Sequence, residues 1–147
     1  MIVGFTGTRN GMTEDQINTL RRLLIGFVKP GEFRFRHGDC LGADSEAHNI
    51  AKSLGYNIII HPPSNGVLRG FCQGDSYLKP LHYIKRNKAI VDRSEVIIAA
   101  PKTKEAPLNS RGEGTWFTIR YGKKIGKIVI IIHPDGNITR FDPSKGN

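Results

Sequence analysis

A chain of 147 residues, 38% hydrophobic and 24% charged, has the composition of a globular protein and is long enough to bury a core without disulfide or metal staples. It carries no apolar run long enough to span a bilayer and no basic-then-apolar leader after Met1. Its two cysteines, Cys40 and Cys72, form neither a CxxC pair nor a metal-ligand spacing, so we expect a cytoplasmic protein with no membrane association, no metal and no cofactor. The 22 Lys and Arg against 13 Asp and Glu, a net charge of +9, favour anionic partners such as nucleotides or nucleic acid, although no basic run of five or more occurs and a cationic surface alone accounts for it equally well.

In chain order, Ile2-Val3-Gly4-Phe5 reads as a buried parallel strand that runs into the tight turn Thr6-Gly7-Thr8-Arg9. Thr13, with Gln16 three residues on, forms a capping box. Ile17, Leu20, Leu24 and Phe27 then lie on one helical face as far as Val28, where Pro30-Gly31 stop the helix. Residues 33–36 make a second strand. The turn from His37 to Asp44 follows, with Asp44 read first as the cap of a helix whose apolar side is Ala47, Ile50, Ala51 and Leu54, and second as an acceptor for ribose hydroxyls or base edges. Residues 56–60 form a third strand, and the run Ile58-Ile59-Ile60 suits a sheet covered on both faces.

Periodicity vanishes over residues 61–80, which contain Pro62-Pro63, Gly66, Gly70 and Gly74. A loop of that length in a compact protein is either functional or disordered. Helical character resumes over 81–92, a fourth strand covers 96–100, and a second polar loop occupies 101–113. A helix over 114–124 and a fifth strand over 127–132 complete the core, and residues 137–141 add a short edge strand after the turn Pro134-Asp135-Gly136. The alternation predicts one α/β domain over 1–147, with its core over about 1–132: a Rossmann-like three-layer sandwich around a mostly parallel five-stranded sheet. In that architecture ligands bind at the carboxyl ends of the strands, near the switch point. The turns at Thr6 to Asn10 and His37 to Asp44, and the segment from Asn109 to Arg120 where a polar loop enters a helix, are therefore expected to wall one cleft. A phosphate at that helix start would meet free N–H groups and the positive end of the helix dipole.

These residues resemble the SLOG superfamily, the Rossmann-like group that includes the DNA-processing DprA proteins and the LOG phosphoribohydrolases. The likeness rests on Gly7-Thr8-Arg9, His37-Gly38-Asp39-Cys40-x-Gly42-x-Asp44, Arg86-Asn87, Asp92-Arg93-Ser94 and Gly114-Thr115-Trp116-x-Thr118-Ile119. Together they are similar to a small stand-alone branch with HGxxxGxD and GTWxTI motifs. The resemblance implies binding of a nucleotide or nucleotide-derived molecule. LOG enzymes pair an Arg with the Glu of a PGGxGTxxE motif to cleave nucleoside 5′-monophosphates at the glycosidic bond; Arg86 falls at the place of that Arg, and Thr118 at the place of the Glu. A hydroxyl cannot do the work of a carboxylate at an oxocarbenium-like centre. Arg86 and Glu113, just before the helix, are the remaining catalytic candidates.

Arg9, Arg86 and Arg111 can grip phosphate with permanently charged guanidinium forks, or can serve as surface ion-pair partners. Gly7, Thr8, Gly38, Gly112, Gly114 and Thr115 supply the close-approaching backbone and hydroxyls of a phosphate site. His37, Asp39, Asn87 and Glu113 complete the candidate ligand set. Asp39 is equally a turn residue, and His37 with Cys40 has no third ligand at a familiar metal spacing. Trp116, on the first turn of a helix facing a sheet, is read as core, and Tyr77 and Tyr83 flank the long loop as candidates for stacking. The reading favoured is a sensor or sequestering protein for a nucleotide-like ligand. A phosphoribohydrolase-like N-glycosidase is the alternative and DprA-like nucleic-acid binding the second. The sequence leaves both a monomer and a homo-oligomer open.

Overall fold

The computed structural model describes residues 1–28, 32–107 and 114–145. The elements run β1 (Ile2–Gly7), α1 (Glu14–Phe27), β2 (Arg34–His37), α2 (Ala43–Ser53), β3 (Asn57–Ile60), β4 (Ser76–Tyr77), α3 (Tyr83–Asp92), β5 (Val96–Ala100), α4 (Gly114–Lys124), β6 (Ile128–Ile132) and β7 (Ile138–Phe141). They build a seven-stranded sheet in the order β4-β3-β2-β1-β5-β6-β7, parallel throughout except for the antiparallel pair β6–β7. The chain winds outward from β1 through β2 to β3, then returns to the other side of β1 as β5. The switch point thus lies between β1 and β5, where Gly7 is in register with Ala100.

Strand alternation divides the core in two. Val3, Phe5, Phe35, Ile58, Ile60, Ile98 and Ile130 face α1 and α2, packing with Leu20, Leu24, Ala47 and Ala51. Ile97, Ala99, Val129 and Ile131 point the opposite way, onto Val91 of α3 and Trp116 and Ile119 of α4. Trp116 is accordingly a core residue. The capping box of α1 forms as expected, Gln16 N–H donating to Thr13 Oγ1 and Thr13 N–H to Gln16 Oε1, each at 3.0 Å. The Gln16 amide group also donates to the carbonyls of Pro101 and Ile132, at 2.8 and 2.9 Å, which ties the start of α1 to the carboxyl ends of β5 and β6.

Several expectations need correction. The sheet has seven strands, not five. Of the two beyond five, β7 is the edge strand expected over 137–141, joined to β6 through the Pro134-Asp135-Gly136 turn, in which Gly136 N–H bonds the His133 carbonyl at 2.8 Å. β4 lies inside the segment read as a structureless loop. Two residues show no periodicity, and this strand exists because Asp75 clips it to the β3 edge: its carboxylate accepts the Ile58 N–H at 2.7 Å, and its own N–H donates to the Ile58 carbonyl at 2.8 Å. α3 begins at Tyr83 instead of 81, since Leu81 is held in a bridge to Pro63. Asp44 does not cap α2. The N-cap is Gly42, which makes no side-chain cap bond, and Asp44 lies within the first turn with its carboxylate directed backward into the preceding loop. The expected stop at Pro30-Gly31 lies outside the described residues.

Candidate functional site

A cleft of about 790 Å³ opens at the carboxyl edge of the sheet beside the switch point. One wall is the turn after β1, with Gly7, Thr8, Arg9 and Asn10. Behind it stands the start of α2, brought unusually close by Gly42. That residue has φ of +84°, and a Cβ on it would lie 2.2 Å from the Arg9 carbonyl oxygen, so only glycine lets the two turns nest while Ala43 N–H bonds the Thr8 carbonyl at 3.0 Å. Lys102, after β5, and Gly114 and Thr115, in the first turn of α4, line another side. The side chains of Arg9 and Lys102 are exposed and have no hydrogen-bond partner among the described residues, so both charges are available to an anion in the cleft.

Arg86 of α3 lines the cleft but is 5% exposed and heavily engaged. Its Nε donates to Asn87 Oδ1 at 2.7 Å, Nη1 to the Gly38 carbonyl at 2.6 Å, and Nη2 to Cys40 Sγ at 3.6 Å. It therefore latches α3 to the turn after β2. Asn87, which orients Arg86, also lines the cleft, as do Gly38 and Cys40 of that turn. Burial pushes the Cys40 thiol up, away from the thiolate a nucleophile would need.

His37 and Asp39 take another role. Both are fully buried, and neither lines the cleft. Asp39, at φ of +57°, binds Arg69 Nε through Oδ2 at 2.7 Å and accepts the Cys72 N–H on Oδ1 at 2.8 Å, while its carbonyl accepts the Gly70 N–H at 2.7 Å. Asp39 is thus the post to which the loop over 61–82 is tied. That loop then delivers the far wall of the cleft: Pro63, Ser64, Asn65, Val67 and Leu68, with His82 and Tyr83 at the start of α3. Among the described residues His37, His48 and Cys72 bring their donor atoms within 4.8 Å of one another, a spacing compatible with a metal. The hydrogen bonds favour another use. Asp39 N–H donates to His37 Nδ1 at 2.9 Å, so the neutral ring carries its proton on Nε2, where it bonds His48 Nδ1 at 3.0 Å and occupies the atom a metal would take. Burial, then His48, pushes His37 down to about 3, which keeps it neutral.

Of the residues expected in the site, Gly7, Thr8, Arg9, Gly38, Arg86, Asn87, Gly114 and Thr115 converge on the cleft. Arg111, Gly112 and Glu113 lie outside the described residues. Asn65, Val67, Leu68, His82 and Lys102 were absent from the expected set, and Asp44, preferred as a helix cap over an acceptor for ribose or base, lines the cleft. The length of the loop over 61–80 was the signal for its share; nothing local marked which of its residues face inward. Thr118, which the sequence resemblance sets against the LOG carboxylate, is 1% exposed and donates its hydroxyl to the Gly114 carbonyl at 2.7 Å, one turn back along α4.

No family model and no curated protein matches this sequence. The fold does have solved relatives in shape. The molybdenum cofactor binding protein of Rippkaea orientalis superposes with a TM-score of 0.66 at 21% identity, covering 90% of this chain and 76% of that one. The Moco carrier protein of Chlamydomonas reinhardtii gives 0.63 at 21% identity, over 88% and 74% of the two chains. The structural-genomics protein TM1055 gives 0.62 at 13% identity, over 87% and 71%. At these identities the comparison establishes a shared Rossmann-like α/β fold.

Proposed function

We propose that this protein binds and holds a nucleotide or nucleotide-derived ligand, as a sensor or sequestering protein, in the cleft at the carboxyl ends of β1 and β5. One observation carries the reading: the cleft joins unengaged cations, Arg9 and Lys102, to the first turn of α4, while the position that a glycosidase of this fold fills with a carboxylate holds Thr118, turned into its own helix. In this reading the phosphate sits among Gly7-Thr8-Arg9, Lys102 and Gly114-Thr115, attracted by fixed charge and by the positive end of an eleven-residue helix. The loop side, with Asn65, Val67, Leu68, His82 and Tyr83, offers mixed polar and apolar surface to the rest of the ligand. Arg86 contributes chiefly by holding the turn at Gly38 in place. Molybdenum cofactor proteins among the structural relatives support a holding role over a hydrolytic one and make that cofactor the first ligand to test beside nucleotides.

Calorimetric titration with nucleoside 5′-monophosphates and with molybdenum cofactor tests the reading. A charge-assisted hydrogen bond to phosphate contributes about 1.5–3 kcal/mol, so Arg9→Ala and Lys102→Ala should each weaken a phosphorylated ligand by about one to two decades. Arg22→Ala, on the exposed side of α1, should leave affinity unchanged. Release of free base by the wild-type protein at an enzymatic rate would instead establish the N-glycosidase. Binding of single-stranded DNA with steep salt dependence and no affinity for free nucleotides would establish nucleic-acid binding.

A further inference from the structure

Asp44 is 5% exposed, yet it lines the cleft. Its Oδ2 accepts two loop amides, Gly38 N–H at 3.1 Å and Cys40 N–H at 3.2 Å, and these bonds shape the turn after β2. Its Oδ1 receives no donor among the described residues. Arg86 is close enough to lower the carboxyl's pKa but does not pair with it, because its own donors go to Asn87, Gly38, His61 and Cys40. Oδ1 is not among the fully buried unpaired atoms, so it is open to the cleft, where a ligand donor can replace water on it. The side it shows to the cleft is where that donor can come from.

Asp44 also stands at the same end as the turn proposed to take phosphate, since Ala43 N–H is bonded to the Thr8 carbonyl. A second anionic group beside it would be repelled. We propose that Asp44 is the specificity-determining acceptor of the cleft, its Oδ1 taking an O–H or N–H donor of the ligand, so that the site selects a phosphate monoester whose sugar or ring carries a donor close to the phosphate. This rests on the cleft being the ligand site, as proposed above. In a nucleoside 5′-monophosphate the donor is a ribose hydroxyl or an N–H of the base, which in AMP is the exocyclic amino group. Inorganic phosphate offers the anion without either.

The variant Asp44→Asn separates this role from a structural one. The amide oxygen of the introduced side chain can accept the two loop N–H groups as the carboxylate does, while its NH₂ group presents donors where an acceptor stood. Wild type and Asp44→Asn are titrated with AMP, 2′,3′-dideoxy-AMP, ribose 5-phosphate and inorganic phosphate. The acceptor role predicts that the variant loses about tenfold or more for AMP while holding or gaining affinity for inorganic phosphate, its repulsive charge having gone. In wild type, loss of affinity for dideoxy-AMP with retention of ribose 5-phosphate assigns the donor to the sugar, and the reverse pattern assigns it to the ring. Equal affinities of variant and wild type for AMP overturn the proposal and leave the cleft standing. Parallel losses for AMP and inorganic phosphate also overturn it, since they mark a residue that only shapes the loop. If wild type binds none of the four probes, the assignment of the cleft to a phosphorylated ligand falls, and this inference with it.

Discussion

The Arg86 guanidinium lies against the backbone of Gly38. Nη1 donates to the Gly38 carbonyl at 2.6 Å, and a Cβ placed on Gly38 would fall 2.7 Å from the same nitrogen. Gly38→Ala should therefore push Arg86 out of its three-way latch. The expected cost is about 1–3 kcal/mol of stability, read by urea unfolding, together with weaker binding of any cleft ligand. An unchanged midpoint would mean that Arg86 moves aside freely and latches nothing.

Arg69→Ala should release the loop over 61–82. It strips the fully buried Asp39 carboxylate of its ion pair while the Cys72 N–H stays on Oδ1, a loss of about 2 kcal/mol. Limited proteolysis should then cut between residues 64 and 71 faster than in wild type. Cutting at the wild-type rate would show that two backbone bonds, Gly70 N–H to the Asp39 carbonyl at 2.7 Å and Leu41 N–H to the Leu68 carbonyl at 2.9 Å, suffice to hold the loop.

Wild-type protein should release no more base from AMP, GMP or CMP than a blank, measured by chromatography after overnight incubation. Thr118→Glu should not create a hydrolase. At a position 1% exposed the new carboxylate is buried without a partner and costs several kcal/mol, so the expected outcome is loss of folded protein, visible as a fall in Tm. A folded Thr118→Glu variant with base-releasing activity would put this side chain in the cleft.

Stability should fall on acidification below about pH 6.5. His37 and His61 are each pushed down to about 3, His37 by burial and then His48, His61 by burial and then Arg36, so the unfolded chain takes up protons that the folded one refuses. Their contribution is complete above 6.5 and is lost as pH falls toward 3. Asp44 acts with the opposite sign: burial raises it to about 6, so its contribution is complete below its ordinary 3.8 and is lost as pH rises through 6. Two histidines outweigh one carboxyl over the shared range. Each group amounts to about 1.4 kcal/mol per pH unit at most. His61→Gln, which keeps an acceptor for Arg36, should flatten the decline by about that slope in denaturant unfolding between pH 6 and 4.5. A variant with the wild-type slope would show that His61 titrates normally.

The elements legible in the sequence were those whose signal lies within one turn or one strand. The capping box of Thr13 and Gln16, the apolar stripe of α1 and the continuous Ile58-Ile59-Ile60 run each arise from neighbours in the chain, and each appears where expected. Their alternation was enough to infer a parallel sheet and to direct attention to its carboxyl edge, because crossover connections leave little choice of handedness or of ligand edge. What the tertiary structure alone decided depends on partners far apart in sequence. β4 forms because Asp75 meets Ile58, and the far wall of the cleft forms because Asp39 meets Arg69 and Cys72. The glycine at 42 let the chain choose it as N-cap and turn Asp44 back upon Gly38 and Cys40, although an aspartate before an apolar stripe reads locally as a cap. Propensity ranks what a residue can do among its neighbours; which of those options is realised at His37, Asp39 and Asp44 was settled by burial, where each polar atom must find the partner that the fold brings to it.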